Sequence, residues 1–238
     1  MSGKFKRAAL VLAAALALAL AGCLGGGAPS GGSVSRPEAV QSAELQFTHP
    51  AAGDTVAVFD TSAGVFRAVL FPQQAPQACA NFVGLAQAGY YNGLTFTRVE
   101  QGFVVEAGQA ADGSATTIWN GSGYPAEYTD QLHHYSGALC AAMSEEGQGA
   151  SVFYVMQTAP GLEQELADRM AAQGWRQEII DAYAAAGGAP YLDYTDTVFG
   201  QVYEGLDVVD AIGAAQVDEA LTPVEAITIH SVTIETYP

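Results

Sequence analysis

The apolar positions of this chain change period along its length. Ala8 to Ala21 form an unbroken apolar run of about fourteen residues, short of the roughly 20 that span a membrane comfortably. With Lys4, Lys6 and Arg7 before it, the run reads as the core of an export signal. From Asp54 to Phe71, β-branched and aromatic residues flank Asp60–Gly64, which predicts a hairpin. Past Pro76 the period lengthens: Cys79, Phe82, Val83 and Ala86 stand at i, i+3, i+4, i+7, predicting a helix to about Ala88 with Gly89 beyond its end. Phe96–Gly108 reads as two strand pieces around a turn at Gln101–Gly102, and Gln109–Gly123 as a solvated loop. In Gln157–Ala189, Leu162, Leu166 and Met170 repeat every four residues, as do Trp175, Ile179 and Tyr183. This predicts two short amphipathic helices joined near Gln173–Gly174 and ended by Gly187–Gly188, with Glu165 and Arg169 as an i, i+4 pair. They read as a surface insertion packed on its own apolar face, with an added wall or lid as the alternative. Ile227, Ile229, Val232 and Ile234 mark a closing strand.

Composition divides the chain into three. Residues 1–22 read as a signal peptide. It ends Leu20-Ala21-Gly22-Cys23, which resembles the bacterial lipobox and implies lipid attachment at Cys23. Residues 23–50, rich in Gly, Ser, Pro and Ala, cannot bury a core and read as a flexible tether. Residues 51–238 are enough for one domain. This arrangement implies export and a lipid anchor on the extracytoplasmic face of the cell membrane. The formal net charge is −17, and beyond the leader five arginines and no lysine face 25 acidic residues. That argues against nucleic acid as a partner, since binding it demands basic patches. Cys79 and Cys140 lie in apolar surroundings and read as unpaired core thiols; no cysteine spacing suggests a metal site. His133 and His134 are adjacent. In a strand they would face opposite ways, so surface or capping roles are expected and a shared metal is not.

Arg98 is the residue that calls for chemistry. It lies among Phe96, Val99, Phe103, Val104 and Val105, and a charge in an apolar strand needs a partner or a purpose. A structural ion pair with Glu100 or Glu106 is one reading. The other comes from a resemblance. Phe96-Thr97-Arg98-Val99-Glu100-Gln101-Gly102-Phe103-Val104-Val105-Glu106-Ala107-Gly108 resembles the cyclophilin segment F-H-R-I-I-P-G-F-M-x-Q-G-G. Four further motifs follow the family's order: Asn81-Phe82 with Gly89–Phe96; His134–Met143; Gly149–Met156; and Tyr191–Val202 with Glu204–Ile212.

The resemblance implies a mainly β fold, a closed eight-stranded antiparallel β-barrel capped by two α-helices, with the helical insertion at about 158–188. It implies a peptidyl-prolyl cis-trans isomerase, without cofactor or metal, working as a monomer on proline-containing polypeptides. Arg98 falls on the catalytic arginine. Phe103, Val104, Tyr154 and Leu192 fall on the proline pocket, Tyr191 on the family's frequent tryptophan, and Ala142 and Met143 where backbone holds the substrate. Three positions depart from the pattern. Glu106 replaces a glutamine that helps position the arginine, and a carboxylate there could grip Arg98 in a bidentate pair. Val152 replaces a glutamine that bonds the substrate. Asp196 replaces a histidine or tyrosine at the rim. These leave open a catalytically weak proline-peptide binding module or holdase.

Overall fold

The computed structural model describes residues 34–37 and 39–238. The signal peptide, Cys23 and the first part of the expected tether lie outside them. Two strands, β1 (Thr55–Thr61) and β2 (Gly64–Leu70), form the expected hairpin, and α1 (Pro76–Gln87) follows. Glu127, from a distant loop, accepts the backbone N–H groups of Gln77 and Ala78 at 3.0 and 2.9 Å. The helix thus has a carboxylate at the end where its dipole is positive. Then come β3 (Arg98–Glu100), β4 (Val104–Ala107), β5 (Tyr124–Pro125), β6 (Ala138–Met143) and β7 (Gln148–Met156). Helices α2 (Gln164–Ala172) and α3 (Gln177–Ala186) form the insertion. Strand β8 (Thr197–Glu204), α4 (Leu206–Gly213) and β9 (Ile229–Thr236) complete the fold.

The sheet runs β3-β4-β7-β6-β8-β2-β1-β9, antiparallel throughout, with the short β5 added beside β7. Eight strands curl as expected, but no β3–β9 ladder closes the barrel. The seam is instead a short run of hydrogen bonds: Gly93 N–H to Ile229 O at 2.7 Å, Ile229 N–H to Leu94 O at 2.8 Å and Phe96 N–H to Ile227 O at 3.0 Å. The free edge of β3 is met by a loop, through Val99 N–H to Leu221 O at 2.8 Å. A three-residue β3 is too short to pair on both sides, so loops satisfy it.

Alternation sorts side chains between two cores. Val99, Val105, Leu139, Phe153, Val155 and Phe199 point inward with Phe59, Phe66 and Phe82. Phe59 stacks on Phe66 at 4.4 Å, and Phe82 meets Phe153 edge-on at 5.7 Å. Val104, Cys140, Tyr154, Met156 and Val198 point outward into a second cluster. Register then aligns one outer row across five strands: Arg98 opposite Glu106, Glu106 opposite Tyr154, Tyr154 opposite Cys140, and Cys140 opposite Val198.

Two expectations change at the edges of the domain. The stretch before Pro50 does not behave as tether throughout. Arg36 pairs with Asp210, with Nη2 and Nε at 2.6 and 2.9 Å from its two oxygens. Gln46 is buried, donating to His133 O and accepting from His133 N–H. The insertion is not packed on itself alone. Its apolar face closes over Tyr135 of the barrel and Phe47 of the N-terminal strap. Glu165 and Arg169 form no ion pair among the described residues; Gln164 bonds Asp168 at 2.8 Å instead.

Candidate active site

The outer row of β3, β4 and β7 carries the site. Arg98 Nη2 lies 2.5 Å from Glu100 Oε2, two residues along the same strand face. Glu106, directly opposite on β4, comes only to 3.9 Å of Nη1. Of the two roles open to Glu106, gripping Arg98 in a bidentate pair or drawing it away from substrate, the bidentate pair is not formed; Glu100, on the same strand, has the tighter hold. The Arg98 guanidinium lies 5.8 Å from the centre of the Phe103 ring, within cation–π range. Nη1 and Nε remain available to another acceptor.

Glu106 sits in a poor place for a charge. Burial raises its pKa, Arg98 opposes the rise, and Asp196 adds to it. Asp196 itself accepts the Tyr154 hydroxyl at 2.8 Å and the Met143 N–H at 3.2 Å. Burial, then Cys140 and Asp196, push the Tyr154 hydroxyl far above its ordinary value, so it stays protonated and donates. A bulge between Ala141 and Met143 separates backbone from side chain here. The Met143 N–H turns to Asp196 while its side chain packs on the inner core.

Phe103, Val104, Ala142, Tyr154 and Leu192 meet in the outer cluster, and the Tyr191 ring lies over Phe103 at 6.4 Å, 66% exposed. The sequence-derived pocket residues are thus brought together beside Arg98. Phe103 owes its position to a residue that sequence reasoning missed. Gln157, buried at the end of β7, donates its backbone N–H to Phe103 O at 2.7 Å and accepts Gly102 N–H on Oε1 at 2.8 Å. Its Nε2 holds Asp210 at 2.7 Å.

A second missed group lies behind the pocket wall. His133 and His134 are both 1% exposed, which overturns the expected surface roles. Their Nδ1 atoms each lie 2.7 Å from an oxygen of buried Asp193. Asp193 also accepts His134 N–H at 2.8 Å and the Tyr183 hydroxyl of α3 at 2.9 Å. Tyr191 and Leu192 immediately precede this carboxylate. The node therefore ties the pocket loop to the barrel and to the insertion.

A family model described as cyclophilin type peptidyl-prolyl cis-trans isomerase/CLD matches residues 56–234. The chain belongs to the cyclophilin family of peptidyl-prolyl cis-trans isomerases. A Staphylococcus aureus protein assigned as a peptidyl-prolyl cis-trans isomerase is 33% identical over 184 residues, 77% of this chain and 93% of that protein. One from Staphylococcus saprophyticus is 34% identical over 178 residues, 74% and 90% of the two chains. Among solved structures, a Cryptosporidium parvum cyclophilin superposes with a TM-score of 0.62 at 19% identity, covering 78% of this chain and 99% of that one. The same protein in the presence of the dipeptide Ala-Pro gives 0.61 at 20% identity, with 76% and 99% covered. In this cyclophilin Arg98 stands beside the apolar cluster of Phe103, Val104, Tyr154 and Leu192.

Proposed function

We propose that this cyclophilin accelerates rotation about Xaa–Pro bonds in exported polypeptides, with Arg98 as the catalytic residue. The observation that carries the reading is a partly free guanidinium beside the apolar cluster of Phe103, Val104, Tyr154 and Leu192. Rotation breaks amide resonance and faces a barrier of about 18–20 kcal/mol. As conjugation is lost, the prolyl nitrogen gains a lone pair that can accept a hydrogen bond. Nη1 or Nε of Arg98 supplies the donor. A bond made only to the twisted amide lowers the barrier without tightening the ground state, and the rigid, always charged fork suits that task. The Ala-Pro dipeptide named with the Cryptosporidium parvum structure supports a proline-containing substrate. The test is acceleration of cis-trans exchange in a short Xaa-Pro peptide; a rate equal to the uncatalysed one would reject the reading.

Glu106→Gln is expected to raise kcat/KM about two- to fivefold, because it removes a charge that draws Arg98 away from substrate. The gain should shrink on acidification. Protonating Glu106 in the parent has the same effect as the substitution, and its raised pKa brings that change to a higher pH than for an ordinary carboxylate. A variant slower than the parent at every pH would show that the carboxylate positions the arginine usefully. One observation favours binding without turnover: Glu100 already holds Arg98 Nη2 at 2.5 Å, which takes up part of the donor fork. Peptide binding with no rate enhancement would select that reading.

The lipobox-like Leu20-Ala21-Gly22-Cys23 supports anchoring by lipid at Cys23 outside the cytoplasm. Cys23→Ser is expected to move the protein from the membrane fraction to the soluble one. An unchanged membrane fraction would reject the anchor.

A further inference from the structure

Asp196 also borders a recess of about 10 Å³, lined with it by Leu132, His134, Val198, Tyr128 and Tyr194. It has room for about one water-sized group. Tyr128 and Tyr194 are 47% and 56% exposed, and their rings meet edge-on at 6.2 Å. The Tyr128 hydroxyl is held away from the recess chemistry, donating to Thr195 O at 2.9 Å. Tyr194 adopts φ +66°, a conformation a bulky residue rarely takes without a reason.

The charged groups of the recess are carboxylates, and the hydroxyls of Thr129 and Tyr194 can accept as well as donate. His134 bonds Asp193 through Nδ1 at 2.7 Å, which places the ring proton there. Its Nε2 is buried and has no hydrogen-bond partner among the described residues. Asp196 accepts one bond on each oxygen, and a carboxylate offers about four acceptor directions. Glu127, the other acid in the wall, is engaged at the start of α1. No lysine or arginine lines the recess. Acceptors, a carboxylate and two aromatic rings around a space for one small group describe a site for a compact cation.

We propose that this recess seats the ammonium group of a lysine adjoining the proline of a client polypeptide, an assignment that rests on the isomerase reading of the neighbouring pocket. An ammonium is close to water in size and carries three donors; a guanidinium is larger and planar. Size therefore selects lysine over arginine, and charge selects lysine over a neutral side chain. The ammonium fills the recess, and the lysine methylenes leave it along the exposed rings of Tyr128 and Tyr194.

The test uses peptides with Lys, Arg, Gln or Glu beside the proline, on either side, measured by isomerisation rate and by calorimetric binding. The Lys peptide is expected to exceed Gln by about fivefold in kcat/KM. Arg is expected to do no better than Gln, and the lysine advantage should shrink at high salt. Asp196→Asn should bring the Lys-to-Gln ratio to about one, and Tyr194→Ala, on an exposed residue, should lower it. Equal values for Lys and Gln in the parent, equal values for Lys and Arg, or an undiminished ratio in Asp196→Asn would overturn the proposal. If no peptide is accelerated but calorimetry still prefers Lys, the recess stands and the isomerase reading falls. If neither rate nor binding discriminates, both fall.

Discussion

Arg98→Ala is expected to lower kcat/KM on an Xaa-Pro peptide by about 100- to 1000-fold, the range typical of losing one preorganised donor to a developing charge. Stability should hardly change. The Arg98 side chain is 36% exposed, and its partner Glu100 is more exposed still; an exposed ion pair contributes about 0–1 kcal/mol. Rate and melting temperature therefore separate. Arg98→Lys refines the result, because lysine keeps the charge but not the fixed fork of donors. It should recover only a small part of the loss if donor geometry matters, and most of it if the field alone does. An Arg98→Ala protein as fast as the parent would move catalysis to the pocket walls.

Asp193→Ala should produce the largest stability change, about 3–5 kcal/mol. It strands four donors at once: both histidine rings, the His134 N–H and the Tyr183 hydroxyl. The wild-type node should also be acid-labile. Burial opposes ionisation of Asp193, yet the hydrogen bonds from His133 and His134 more than offset it and lower its pKa overall. A carboxylate depressed in the folded state stabilises above its unfolded value, about 3.9. That contribution is lost as pH falls below about 4 towards the folded value. Melting temperature against pH should therefore drop more steeply in the parent than in Asp193→Asn over this window. Parallel curves would mean that the node is held by packing, not by the carboxylate. Because Tyr191 and Leu192 precede Asp193, the alanine variant should also raise KM for the peptide.

Periodicity made the β1–β2 hairpin, α1 and both insertion helices legible, since each has a single exposed face over several turns or residues. The outer row from Arg98 to Val198 was not legible as spacing. It depends on register between strands that lie up to 100 residues apart in sequence, and only the family motifs brought its members together. The Asp193 node was misread for a local reason. Alternation holds within strands, but β6 begins only at Ala138. His133–Tyr135 is instead a tight turn, closed by Tyr135 N–H to His133 O at 2.8 Å. The turn lets both imidazoles face one carboxylate. The N-terminal strap was misread because composition dominated. Leu45 and Phe47 were its apolar signals, and both pack against the domain.

The Arg36–Asp210 pairing also sets a working radius. If the chain is fixed to a membrane at Cys23, only twelve residues lie between that point and Arg36, the first side-chain hold on the domain among the described residues. Fully extended, they reach at most about 45 Å, roughly half of what a free leash to Pro50 would allow. Gln157 joins Asp210 to the turn that carries Phe103, so the same clamp that shortens the leash is two hydrogen bonds from the pocket. The enzyme would then serve chains emerging close to the bilayer, and tension on its leash would be felt where proline binds.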